Sequence, residues 1–158
     1  MPRIRPETHV PSGAGPVAGQ CARASLDVTD ADTASSIGTG DVPVLATARL
    51  VALCEEASCR ALADRLGARR TSVASRVQFD HLLPVPAGTT VTAEATLERV
   101  EGRRLIFTVS VGLHSALRTG LVGAGRLTRV LVDRDAFLCK AGAPAQSVAG
   151  SSARRSGR

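Results

Sequence analysis

From residue 71 onward, apolar and polar positions alternate for most of the chain. "TSVASRVQFD", residues 71–80, sets Val73, Val77 and Phe79 against Arg76, Gln78 and Asp80, and "TTVTAEATLE", residues 89–98, sets Val91, Ala93, Ala95 and Leu97 against Thr92, Glu94, Thr96 and Glu98. A period of two belongs to a strand with one face buried and the other in water, so antiparallel strands are expected. "EGR", Glu101 to Arg103, predicts a tight hairpin into "RLIFTVSVGLH", where Leu105, Phe107, Val109, Val111 and Leu113 share one face. A last strand is expected roughly from Arg118 to Val132. Its Gly123 and Gly125 predict a bend or the close approach of another backbone.

Ahead of these strands the period is helical. In "VLATARLVALCEEASCRALADRLG", residues 44–67, Leu50, Val51, Cys54, Ala57, Ser58, Ala61 and Leu62 form a broad apolar band, with Thr47 as the expected N-cap and Gly67 as the stop. The opposite face is also rich in Ala and Cys until Arg60, Asp64 and Arg65, so the helix is expected to be covered on most sides. Only a short strand precedes it, alternating at Ala24, Leu26 and Val28, before small and polar residues lead to "DVPVLAT". The order is one strand, one long apolar helix, then four long strands joined by hairpins. A flat sheet cannot cover one helix on most faces, so the α+β chain is expected to adopt a hot-dog fold, an antiparallel sheet wrapped around one central helix.

Composition narrows the picture. A chain of 158 residues suits one ordinary domain, placed at residues 22–138. Residues 1–21 and 139–158 are rich in Pro, Gly, Ala and Ser without any period and are expected to be a disordered arm and a disordered basic tail. Three Phe and no Trp or Tyr leave no aromatic platform for bases. The +6 charge is confined to the ends, because residues 24–139 hold thirteen arginines against thirteen carboxylates, so no nucleic-acid surface is expected. Cys21, Cys54, Cys59 and Cys139 lack metal-ligand spacing, and two fall on the helix, which suggests reduced core thiols and a cytoplasmic protein. The N-terminal stretch has no apolar core of a signal peptide, and no window approaches the about eighteen apolar residues of a membrane span.

Two adjacent glutamates in the middle of the helix call for an explanation. Glu56 stands four residues before Arg60 and is expected to pair with it. Glu55 shares a face with Val51, Ser58 and Leu62, where an unpartnered carboxylate is costly, so it either lines a site or reaches solvent through a gap. Thr47 at the helix start is either a plain cap or a hydroxyl beside free N–H groups that can hold a developing oxyanion. His81 ends "RVQFDH" just before a Pro-rich turn, where it is surface or a proton shuttle. Arg129 shares parity with Leu127 and Leu131, so it points inward to an acceptor or lies on a mixed edge face. His9 and His114 have no such context and are read as surface.

"VLATARLVALCEE" places Thr47 eight residues before Glu55, and "FDHLLPVPAGTTVTAE" puts His81 ahead of the third strand. With "GDVPVLAT", "PAGTTVTAEA" and "VEGRRLIFTVS" in the same order, the stretch from about Ser25 to Phe137 resembles the hot-dog thioesterases related to fluoroacetyl-CoA thioesterase. That resemblance implies a catalytic set of Thr47, Glu55 and His81, substrate contacts at Arg129 and Ala74, an acyl-CoA substrate, no cofactor or metal, and at least a homodimer. It implies hydrolysis of a small or medium acyl-CoA to the free acid and CoA. The alternative is a non-catalytic acyl-CoA-binding module, favoured by Ala74 where the family tends to place glycine and by "RLTR" where relatives read Thr-His-Glu-Arg. Nothing in the approach to the helix, led by Asp41 and free of aromatics, marks the fluorinated acyl group as substrate. Arg69, Arg70, Arg103 and Arg104 are candidates for the CoA phosphates.

Overall fold

In the computed structural model, which describes residues 13–142, the alternating stretches become five antiparallel strands. These are β1 (Cys21–Asp27), β2 (Arg70–His81), β3 (Thr90–Glu101), β4 (Arg104–His114) and β5 (Thr119–Asp133), in the spatial order β1-β3-β4-β5-β2. The β3–β4 and β4–β5 connections are hairpins. Strand β2 instead pairs with β5, so the chain crosses the sheet between β2 and β3, against the expectation that hairpins join all four long strands. The connecting "LLPVPAGT" is too long for a tight turn, and its two prolines cannot donate to a ladder.

The close approach expected at the β5 glycines is real. A Cβ on Gly125 would stand 2.0 Å from the Gln78 carbonyl oxygen, and one on Gly123 would strike the Phe79 ring. These two positions let β5 lie directly against β2.

Helix α2 (Thr47–Leu62) touches all five strands, which a sheet achieves only by curling around it. Its Leu50, Leu53, Cys54, Ala57, Ala61 and Leu62 are buried against the inward rows Val91, Ala93, Ala95 and Leu97 of β3 and Leu105, Phe107, Val109, Val111 and Leu113 of β4. Burying one Leu or Phe side chain contributes about 2 kcal/mol, so these rows supply most of the driving force in a chain nearly without aromatics.

Coverage of α2 is narrower than its composition suggested. Thr47, Ala48, Ala52, Cys59 and Arg60 are exposed and Val51 and Glu55 half-buried, leaving one long face uncovered in the single chain. Ala and Cys are compatible with either environment, so they gave no signal of a boundary. For the same reason only Cys54 is a core thiol, while Cys21, Cys59 and Cys139 are exposed, and all four are free.

At the ends, Gly13 N–H donates to the Asp64 carbonyl and Gly19 N–H to the Leu97 carbonyl, so residues 13–20, assigned to the arm by composition, are fastened to the domain. A seven-residue helix α3 (Arg134–Lys140), capped by the Asp133 carboxylate accepting from Ala136 N–H at 3.0 Å, occupies the start of the expected tail. Residues 1–12 with His9, and 143–158, lie outside the described residues. No helix among the described residues is long and apolar enough to cross a membrane.

Candidate active site

The start of α2 is clamped from two sides. On one side lies a 3-10 turn at Asp30–Asp32, followed by the short helix α1 (Ala34–Ile37). The Asp32 carboxylate accepts from the Thr29 N–H at 2.8 Å, the Thr29 hydroxyl at 3.0 Å and Arg49 Nε at 2.8 Å, and the Asp32 carbonyl accepts from Ala46 N–H at 3.0 Å. The Thr29 backbone bond, helped by Arg49 and the Thr29 hydroxyl and opposed by burial, holds the Asp32 carboxyl below its usual range. On the other side, Leu45 N–H donates to the Val85 carbonyl at 2.8 Å, which docks the β2–β3 crossover against the helix start.

This clamp brings Thr47 to His81. Ala46 rather than Thr47 is the N-cap residue, and Thr47 is the first helical residue. Its hydroxyl is therefore free of the capping role expected for it, and Thr47 Oγ1 lies 2.8 Å from His81 Nδ1. His81 Nε2 is 2.8 Å from the Leu83 carbonyl oxygen. A carbonyl can only accept, so Nε2 holds the ring proton and Nδ1 accepts from the Thr47 hydroxyl. Among the described residues, the N–H groups of Thr47 and Ala48 have no acceptor, as befits a first helical turn. A hydroxyl, an imidazole and two free N–H donors at the positive end of a helix can bind a carbonyl oxygen and move a proton beside it.

Glu55 belongs to a second group. Its Oε2 is 3.8 Å from Arg129 Nη1, and its side chain is 39% exposed, against 5% for Arg129. Arg129 Nε donates to Ser72 Oγ at 2.8 Å, Nη2 to the Ser72 carbonyl at 2.9 Å and Nη1 to Ser58 Oγ at 3.4 Å. Ala74 pairs with Arg129 across the β2–β5 ladder, at the edge of a bulge between Ala74 and Arg76. Arg129 is thus inward-facing, while the neighbouring Glu56 pairs with Arg60 on the surface as expected.

One chain does not unite the two groups. Eight residues of α2 separate Thr47 from Glu55, about 12 Å of helix, and seven residues of β2 separate Ala74 from His81, about 23 Å of strand. His114 is exposed with Thr119 beside it, and neither hydrogen-bonds to a member of the two groups among the described residues. Of the arginines considered for CoA phosphates, Arg69 pairs loosely with Asp133 at 3.7 Å, Arg70 Nε donates to the Leu66 carbonyl just past α2, and Arg103 and Arg104 sit at the β3–β4 turn. Among the described residues no group of three or more His, Cys, Asp or Glu could hold a metal ion. Sequence reasoning passed over Ser72 and saw Ser58 only as part of the apolar band. The available signal was mutual need, since a serine on an apolar helix face and an inward arginine each require a polar partner.

Comparison with known proteins places these features in context. The family described as fluoroacetyl-CoA-specific thioesterase matches residues 28–135. The fluoroacetyl-CoA thioesterase of Streptantibioticus cattleyicolor is 35% identical over 97 residues, covering 61% of this chain and 67% of that protein. A solved structure of fluoroacetyl-CoA thioesterase superposes with a TM-score of 0.71 at 29% identity, covering 81% of this chain and 96% of the other. A variant of that enzyme in complex with acetyl-CoA gives 0.71 at 28% identity, with 80% and 96% covered. A Thermus thermophilus hypothetical protein of the thioesterase superfamily gives 0.72 at 26% identity, with 80% and 90% covered.

Proposed function

The chain belongs to the fluoroacetyl-CoA-specific thioesterase family, and on that premise we propose that it hydrolyses a small or medium acyl-CoA to the free acid and coenzyme A. The observation that supports this best is the 2.8 Å contact between Thr47 Oγ1 and His81 Nδ1 at the open start of α2. In this reading the thioester carbonyl oxygen takes the free N–H groups of Thr47 and Ala48, which stabilise the charge that develops as water adds. Glu55 takes a proton from the attacking water. When the C–S bond breaks, the sulfur needs that proton, and the Thr47–His81 pair is the relay beside it.

The separation of the two groups makes a homodimer part of the proposal. Strand β2 is a free sheet edge, with Val77 exposed at its middle. Pairing two β2 strands antiparallel about a twofold axis sets the His81 end of one protomer beside the Ala74 end of the other. Glu55 of the partner subunit is then presented to Thr47 and His81, and the uncovered face of α2 gains a neighbour. Each dimer holds two such composite sites.

A panel of acyl-CoA substrates read by thiol release tests the function. Release of CoA from at least one short or medium acyl-CoA is expected. Calorimetric binding without release on any member would instead identify an acyl-CoA-binding module.

A further inference from the structure

Arg129 was expected to touch substrate, yet its hydrogen-bonding groups are turned to the protein. We propose that Arg129 is a positioning residue for Glu55, anchored by Ser72 and Ser58, two residues with no role in the family resemblance. This rests on the reading of Glu55 as the group that activates water.

The Arg129 side chain is only 5% exposed. Ser72 fixes its plane by accepting at two points, Oγ from Nε at 2.8 Å and the backbone carbonyl from Nη2 at 2.9 Å. Two parallel contacts on one side of a rigid fork set its orientation as well as its place. The third nitrogen, Nη1, faces α2, 3.4 Å from Ser58 Oγ and 3.8 Å from Glu55 Oε2. Ser58 is itself committed, because its hydroxyl donates to the Glu55 carbonyl at 2.6 Å, leaving the oxygen to accept from Arg129. One guanidinium is therefore tied both to strand β2 and to the helical turn from which Glu55 projects.

The outcome is a carboxylate with direction. At 3.8 Å the Glu55 contact is a charge contact and not a hydrogen bond, and the Glu55 carboxylate accepts no hydrogen bond among the described residues. Arg129 fixes one side of the carboxylate while the other stays open to a water. Glu56 makes the contrast, since its partner Arg60 is 54% exposed and held to the sheet by one bond, from Nη1 to the Arg23 carbonyl of β1. A lysine at residue 129 is a point charge on a flexible stem and cannot reproduce the two-point hold on Ser72.

The test is steady-state kinetics of Arg129→Lys, Ser72→Ala and Ser58→Ala on an acyl-CoA that the wild type cleaves, with thermal melts to verify folding. Arg129→Lys is expected to lower kcat by about 10- to 100-fold with KM within about twofold, and Ser72→Ala to lower kcat less, because misplacing a reacting group costs rate and not affinity. A raised KM at unchanged kcat would make Arg129 a substrate-binding residue and overturn the proposal. Should the wild type release CoA from nothing, the proposed function fails, and a double-mutant cycle of Arg129→Lys with Glu55→Gln on the urea midpoint still decides this inference. Non-additive shifts uphold it, and additive shifts refute it.

Discussion

Thr47 Oγ1 and His81 Nδ1 meet at 2.8 Å although 34 residues of sequence separate them. The contact exists because the Asp32 turn and the Val85 crossover together fix where α2 begins. Its geometry gives the hydroxyl proton a direction, toward an imidazole nitrogen whose opposite edge is held by Leu83.

Removing that hydroxyl should disable catalysis without unfolding the protein. Thr47→Ala is expected to lower kcat by about 100-fold or more, in the range for losing a donor at a developing oxyanion or a proton relay, while Thr47→Ser retains most activity. Thiol-release kinetics with matched thermal melts make the comparison. Equal rates for all three proteins would remove Thr47 from the chemistry.

Asp32 links the same region to acid stability. Its folded-state pKa lies below the usual carboxylate value of 3.8, so its contribution is fully present above that value and is lost as pH falls through the lower, folded-state one. Asp32→Asn should cost about 1–3 kcal/mol at neutral pH, because the half-buried Arg49 contact and the Thr29 bonds lose their charge. Urea midpoints between pH 2 and 6 should fall more steeply with acid for the wild type than for the variant. Parallel slopes would contradict the assignment.

Thiol chemistry should report the half-covered helix. Burial, reinforced by the neighbouring Glu55 charge, pushes the Cys54 thiol up to about 12, so it stays protonated and shielded. Cys21, Cys59 and Cys139 are exposed. A maleimide at pH 8 should therefore modify three cysteines in the native single chain and the fourth only after denaturation, with Cys59 slowed if the uncovered α2 face is an interface. Early modification of Cys54, mapped by mass spectrometry, would contradict this packing.

The close pairing of β2 with β5 depends on the missing side chains of Gly123 and Gly125, and Gly125 is the tighter of the two. Gly125→Ala drives a Cβ into the Gln78 backbone and should cost about 3 kcal/mol or more, since backbone cannot step aside as a flexible side chain does. Gly112→Ala, with nothing within 4 Å, is the control and should stay within about 0.5 kcal/mol of wild type. Chemical denaturation of the pair checks both.

What the sequence disclosed follows from how each signal arises. The inward rows of β3 and β4 were legible because Val91 to Leu97 alternate without interruption and Leu105 to Leu113 alternate apart from the buried Ile106, and each inward residue lies where its period placed it. The partner of β2 was not legible, because strand pairing leaves no mark on the strand itself. Only the Gly123 and Gly125 gaps hinted at it, without naming Gln78 and Phe79 as the neighbours. Helix α3 is too short for a period to show, and its one cue is Asp133 as a cap, just past the expected end of the last strand. Thr47 and His81 could be proposed as a pair from family resemblance alone, whereas the distance from them to Glu55 becomes visible only when α2 is drawn at its true rise.

The proposed site is assembled from two protomers, and complementation tests that assembly. Co-expression of a Thr47→Ala chain with a Glu55→Gln chain, each inactive alone, and isolation of the mixed dimer through two different tags should yield thiol release at about half the wild-type rate per dimer, since one of two composite sites is whole. An inactive mixed dimer, with both parents folded and dimeric, would show that Thr47 and Glu55 act within one chain or not together at all, and would contradict the account.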